Sequence, residues 1–170
     1  MIKFEHCIHK FPCGVIGYIA DMTNKTRHLL SSTILPFLTA FSCAGAIAQS
    51  LTPAQIKQIE EIAQSIARQH NVTVTATAMQ DDMTVSTRAV AVARNVRFEN
   101  VLRVKKGLPA AKIKVFSEET RREIIPKSCA ANAKNPAFDR GLTYTFAYTN
   151  TYGEKLTEFT VDKAVCSTYR

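Results

Sequence analysis

The chain has 170 residues, 46% of them hydrophobic, with 22 Lys and Arg against 14 Asp and Glu for a net charge of +8. Once the N-terminal leader described below is removed, the remaining 122 residues are expected to form one domain with a modest core and no second. The basic excess speaks against an inhibitor of a basic lysozyme, which would need an acidic surface to avoid long-range repulsion.

A secretion signal starts inside the chain. After Met22, Lys25 and Arg27 form a basic n-region, residues 29–44 form a mostly apolar h-region, and Ala46-Ile47-Ala48 precedes Gln49. A basic start, a short apolar stretch and a small-x-small site are what signal peptidase reads. Cleavage is therefore expected between Ala48 and Gln49. Residues 1–21 lie upstream of this complete signal and read as a mis-called or non-native extension. Residues 22–48 are the signal peptide, and residues 49–170 form a single mature domain. Pro36, Ser42 and Gly45 interrupt the apolar run, which is shorter than the ~20 residues a membrane span needs. Lipidation at Cys43 is the alternative, but Ala40-Phe41-Ser42 matches a lipobox poorly.

Removing the first 48 residues leaves 122, with nine Lys and nine Arg against four Asp and eight Glu, a net +6. The mature cysteines are Cys129 and Cys166, and in an oxidising compartment such a lone pair reads as a disulfide. Its closed loop of 37 residues should contribute roughly 3–4 kcal/mol by the chain-entropy argument.

In chain order, Thr52-Pro53-Ala54-Gln55 combines an N-cap hydroxyl, Pro at the first helical position and a returning Gln. The helix it opens carries Ile56, Ile59, Ile62, Ala63 and Ile66 at helical spacing, with Asn71 as its stop. Residues 72–77 then alternate Val and Thr, the period of a strand, and Gln80-Asp81-Asp82 makes a turn. A second β run spans residues 84–92, Ala93-Arg94-Asn95 reverses the chain, and a third covers residues 96–104. Three strands with short links predict an antiparallel meander. A second helical region opens at Pro109 with Ile113, Phe116, Thr120 and Ile124 on one stripe. Pro126 either ends it near Ile124 or kinks a helix continuing toward Ala133. The last hairpin sets Leu142, Tyr144, Phe146 and Tyr148 on one strand, turns at residues 150–153 and returns over residues 156–161. This order predicts an α+β fold: an antiparallel sheet of about five strands, two helices on one face and one disulfide.

The residues offer little catalytic chemistry. The mature glycines, Gly107, Gly141 and Gly153, all read as turn residues, so nucleophile-elbow and Walker patterns are absent. His70 is the one mature histidine and reads as a helix-terminal residue. No catalytic set, metal site or cofactor is expected. A hydrolase using Asp81 or Asp82 would need a distant carboxylate such as Glu99, Glu118 or Glu154. The positive hint is charge: Arg88, Arg94, Arg97, Arg103, Lys105 and Lys106 fall on the central strands, followed by Lys112 and Lys114. These form a candidate binding face for an acidic protein or an anionic envelope component, with nucleic acid the least favoured partner. A solvated face discouraging edge pairing explains the same residues.

Ser128-Cys129, Arg140-Gly141-Leu142-Thr143-Tyr144, Tyr148, Gly153-Glu154, Phe159-Thr160-Val161 and Cys166 together resemble a group of small exported bacterial α+β proteins. Some of these are quorum-sensing-regulated virulence factors. The pattern is also similar to the pilotins that assist type II secretion. The resemblance covers about 40 residues. It implies a periplasmic accessory protein with no catalytic residues, and a secreted virulence-associated effector is the alternative it leaves open. The sequence reading is a non-enzymatic periplasmic or secreted protein that binds another protein or an anionic envelope component.

Overall fold

The computed structural model describes residues 50–76 and 83–169. Helix α1 (Pro53–Ala76) opens with the expected reciprocal cap. The Gln55 N–H donates to Thr52 Oγ1 at 3.3 Å, and the Thr52 N–H donates to Gln55 Oε1 at 2.8 Å. Its buried stripe is Ile59, Ala63, Ala67 and His70. Small side chains at positions 63 and 67 let the helix lie close to the sheet.

Strands β1 (Thr84–Val92) and β2 (Asn95–Leu102) form an antiparallel hairpin. Ala93 in its two-residue turn takes φ +49°, a left-handed conformation that is uncommon for a residue with a Cβ. Helix α2 (Ala110–Asn132) follows Pro109, and the short α3 (Pro136–Asp139) is capped by the Asn135 side chain. Strands β3 (Thr143–Asn150) and β4 (Lys155–Val161) make the second hairpin, and α4 (Lys163–Ser167) ends the fold.

The fold is α+β, as expected, with four strands in the order β1-β2-β3-β4 in place of five. Two expectations are corrected. Residues 72–76, taken as a strand, continue α1 past Asn71. A well-nucleated helix extends at low cost, and Thr73 fits it by donating its hydroxyl to the Gln69 carbonyl at 3.0 Å. The sheet is also mixed, because β2 and β3 pair in parallel. A single crossover explains this. At ~1.5 Å per residue, α2 is long enough to carry the chain back along the whole sheet, so β3 starts at the same end as β2.

Of the two alternatives at Pro126, the helix continues through it. Pro126 and Arg122 are both exposed, so the carbonyl that loses its N–H partner faces water.

Both long helices cover one face of the sheet. His70 of α1 meets Phe98 of β2 edge-on, and Phe116 of α2 meets Tyr148 of β3 in the same way. Deeper along α2, Asn132 accepts a hydrogen bond from the buried Tyr144 hydroxyl at 3.1 Å. Burial raises the pKa of Tyr144 and of Tyr148, beside which the Glu123 carboxylate adds a smaller push in the same direction. Cys129 and Cys166 are bonded, tying α2 to α4. The bridge thus fastens the far end of α2 to the segment just beyond β4.

Candidate functional site

Two surfaces of the sheet carry the residues of interest. On the helix-covered face, register places Phe98, Phe146 and Phe159 side by side on β2, β3 and β4. Their rings stack at 5.2 Å and 5.5 Å between centroids. His70 closes the row at the α1 end, and the Arg121 guanidinium lies 5.3 Å over Phe159 at the other. Phe98, Phe159, Tyr144 and Tyr148 are buried, whereas Phe146 stays partly exposed. The helices explain the difference: α1 packs on β1 and β2, and α2 packs on β4. Phe146 stands on the strand between them. Phe116, Leu108, Val104 and Ile66 add further partly buried apolar side chains against the same core.

The opposite face is open and charged. Arg88 of β1 binds Glu99 of β2 through a short ion pair, in which Arg88 Nε lies 2.5 Å from Glu99 Oε2. Arg97 donates to Glu99 at 3.2 Å and to Glu158 of β4 at 3.1 Å. Lys155 completes the chain on Glu158 at 3.3 Å. In register, Ala147 of β3 stands between Glu99 and Glu158, so the small methyl leaves room for Arg97 to cross β3. Hydrogen bonds from Arg88 hold the Glu99 carboxyl below its ordinary pKa, and those from Arg97 do the same for Glu158. The same contacts raise Arg97, with its bond to Glu158 as the largest cause.

The six basic residues singled out in the sequence do not form one patch. Arg88 and Arg97 belong to this network of alternating charge. Arg94 sits in the β1–β2 turn beside Gly141, with Nη1 3.1 Å from where a Cβ on that glycine would stand. Arg103, Lys105 and Lys106 lie past the other end of β2, about 25 Å away at ~3.3 Å per residue. The eight residues of that strand separate the two groups. Lys112 and Lys114 are exposed on the first turns of α2, where Lys114 approaches Glu118 at 3.9 Å.

Asp81 and Asp82 lie outside the described residues, as do Cys43, Ala48 and Gln49. Among the described residues no three His, Cys, Asp or Glu side chains gather to hold a metal ion. Nor is any described helix long and apolar enough to cross a membrane. From the sequence, Phe146 shares a strand with Leu142, Tyr144 and Tyr148, and nothing in that pattern sets its exposure apart from theirs. The missing signal is the separation of the two helices, which no local pattern encodes.

No protein-family model matches the chain, and no curated protein matches it. Solved structures do. A candidate secreted protein of Pseudomonas aeruginosa is 10% identical with a TM-score of 0.53, over 68% of this chain and 98% of that one. This likeness shows a shared fold. The type II secretion pilotin AspS from Vibrio cholerae is 19% identical with a TM-score of 0.46, over 66% and 96% of the two chains. The pilotin EpsS of the Vibrio vulnificus type II system is 16% identical with a TM-score of 0.47, over 68% and 97%. None of these likenesses extends to a virulence-associated role.

Proposed function

We propose that the chain is an exported, non-enzymatic accessory protein of a bacterial envelope that binds another protein over the aromatic row between α1 and α2. The observation that carries this reading is Phe146, which stays partly exposed in the middle of a stacked row whose other members are covered. An apolar segment of a partner laid between the helices would complete its burial, as anchors do at the centre of protein interfaces. The cationic excess of the domain favours acidic residues flanking that segment. The leader supplies the location: cleavage after Ala48 would release a chain starting at Gln49 outside the cytoplasm. The reading rests on the aromatic row and the leader, not on the likeness to the pilotins.

Two experiments test it. Phe146→Ser, with its melting temperature checked against wild type, should abolish co-purification of the partner from envelope extracts. Arg88→Gln on the open face should leave it intact. Retention by Phe146→Ser, or equal loss in both variants, would overturn the assignment. The intact mass of protein from fractionated cells should match residues 49–170 less two hydrogens. A mass starting at Cys43 with acyl chains would replace release by lipid anchoring.

A further inference from the structure

The chain running from β2 into α2 and the β3–β4 turn are locked together into a single tip at one end of the sheet. The Thr151 N–H donates to the Leu102 carbonyl at 3.1 Å, and the Gly107 N–H donates to Glu154 Oε2 at 3.0 Å. Asn150, almost fully buried, reaches Glu154 Oε2 at 2.7 Å and the Lys105 carbonyl at 3.5 Å. These bonds fix two adjacent turns as one rigid projection. What it shows to solvent is Arg103, Lys105 and Lys106, all exposed, together with Tyr152, 63% exposed.

These three cations differ from those on the open face. Arg88, Arg97 and Lys155 are each bound to Glu99 or Glu158. Among the described residues, no carboxylate lies within ion-pair distance of Arg103, Lys105 or Lys106. The nearby acid, Glu154, is engaged by the Gly107 N–H and the Asn150 amide, whose hydrogen bonds lower its pKa, with a smaller attraction from Lys106. The tip therefore keeps a net positive charge of two, counting Glu154, beside an exposed phenol.

We propose that this tip docks the protein onto an anionic bilayer surface, with Tyr152 at headgroup level and Arg103, Lys105 and Lys106 over the lipid phosphates. A projecting pair of turns fits a planar surface better than a groove. Tyrosine joins an apolar ring to a polar hydroxyl and settles at membrane interfaces. Each Lys or Arg near an anionic membrane is worth roughly fivefold in binding. The surface is distinct from the aromatic row, so the two assignments fail separately.

The test is flotation of the protein as recovered from cells with phosphatidylcholine vesicles that contain, or lack, 30% phosphatidylglycerol. Wild type should float with the anionic vesicles only, and less at high salt. Lys105→Gln with Lys106→Gln should weaken this on the order of 25-fold, whereas Phe146→Ser and Arg88→Gln should not. The chain contains no tryptophan, so Tyr152→Trp places a sole reporter at the tip. Its emission should shift to the blue on anionic vesicles alone. Wild type that ignores phosphatidylglycerol, or a double variant that floats equally well, overturns the proposal. Binding of polyglutamate without vesicle binding reassigns the tip to an acidic protein and also overturns it.

Discussion

The side-chain amide of Asn71 pairs with both backbone groups of Ala89, accepting from its N–H at 2.7 Å and donating to its carbonyl at 2.9 Å. Ala89 lies mid-way along β1, at one edge of the sheet, and these groups point away from β2. The other edge has a counterpart, since Arg121 of α2 donates to the Glu158 carbonyl of β4 at 3.1 Å. Each helix therefore occupies outward backbone groups that another strand could otherwise use.

Asn71→Ala should consequently do two things. It should cost about 1–2 kcal/mol, because a partly buried N–H and C=O lose their partner together. It should also promote association at high protein concentration through the opened β1 edge. Chemical denaturation measures the first effect and gel filtration over a concentration series the second. Wild-type stability with a strictly monomeric elution would remove the edge-guarding role.

The same contact explains why residues 72–76 are helical where alternation predicts a strand. Alternating Val and Thr is a sound strand signal, yet the partner such a strand would need is already engaged by Asn71. The parallel β2–β3 pairing was hidden for a related reason. Counting an extra strand before the second helix masked the strand-helix-strand unit whose crossover dictates it. Signals confined to a few residues were legible: the Thr52–Gln55 cap, the β1 boundaries and the turn after Asn150. The Cys129–Cys166 bridge was also legible, from cysteine arithmetic. The candidate site was less so. Charge counting grouped Arg88 with Lys106, whereas register separates residues that pair with Glu99 and Glu158 from those that do not.

His70 gives the domain a pH-dependent term. Its ring is largely buried against Phe98, with Nε2 3.5 Å from the Thr87 hydroxyl, and burial lowers its pKa below 6.5. The unfolded chain therefore binds a proton more readily than the folded one as pH falls below about 6.5. This contribution to stability is complete above that pH and declines as pH drops through the lower folded value. Melting temperatures between pH 7.5 and 5 should fall in wild type and stay flatter in His70→Gln. Parallel curves would show that His70 is not the group responsible.

The open face should contribute little to stability despite its length. Arg97→Ala breaks contacts to Glu99 and Glu158 that are about one-third exposed, and such pairs are worth roughly 1 kcal/mol or less. The loss should shrink further in 0.5 M salt. Both carboxyls are held below their ordinary pKa, so their contribution is present above about pH 4.5 and lost as pH falls through the folded values. That window lies below the His70 transition, and the two are separable in one titration. A salt-independent loss above 2 kcal/mol would mean Arg97 supports the fold by packing on β3.

The disulfide should matter more. Cys129→Ser opens a 37-residue loop, which by chain entropy costs about 3–4 kcal/mol. For a domain of this size the melting temperature should drop by more than about 10 °C, and Cys166 should become reactive to thiol reagents. An unchanged melt would mean that Val165, the Asp162 cap and the Lys163–Asp139 ion pair hold α4 without the bridge.

Asn150 distinguishes a neutral hinge from a charged one. Its Oδ1 accepts from the Tyr152 and Glu154 N–H groups at 3.0 Å and 2.9 Å, while its Nδ2 donates to the Glu154 carboxylate. Asn150→Ala loses all of these from a buried position and should cost about 2–3 kcal/mol. Asn150→Asp keeps both acceptor bonds but replaces the donor with a second carboxyl facing Glu154. The new acid would have its folded pKa raised by that neighbour, so it would hold a proton in the folded chain at pH values where the unfolded chain has lost it. Stability of this variant should therefore decline as pH rises from about 4 toward 7, opposite to the carboxylates of the open face. Adding Glu154→Gln should relieve the decline, and a double-mutant cycle measures the coupling directly. If the single and double variants titrate alike, the Asn150–Glu154 contact does not hold the two turns together.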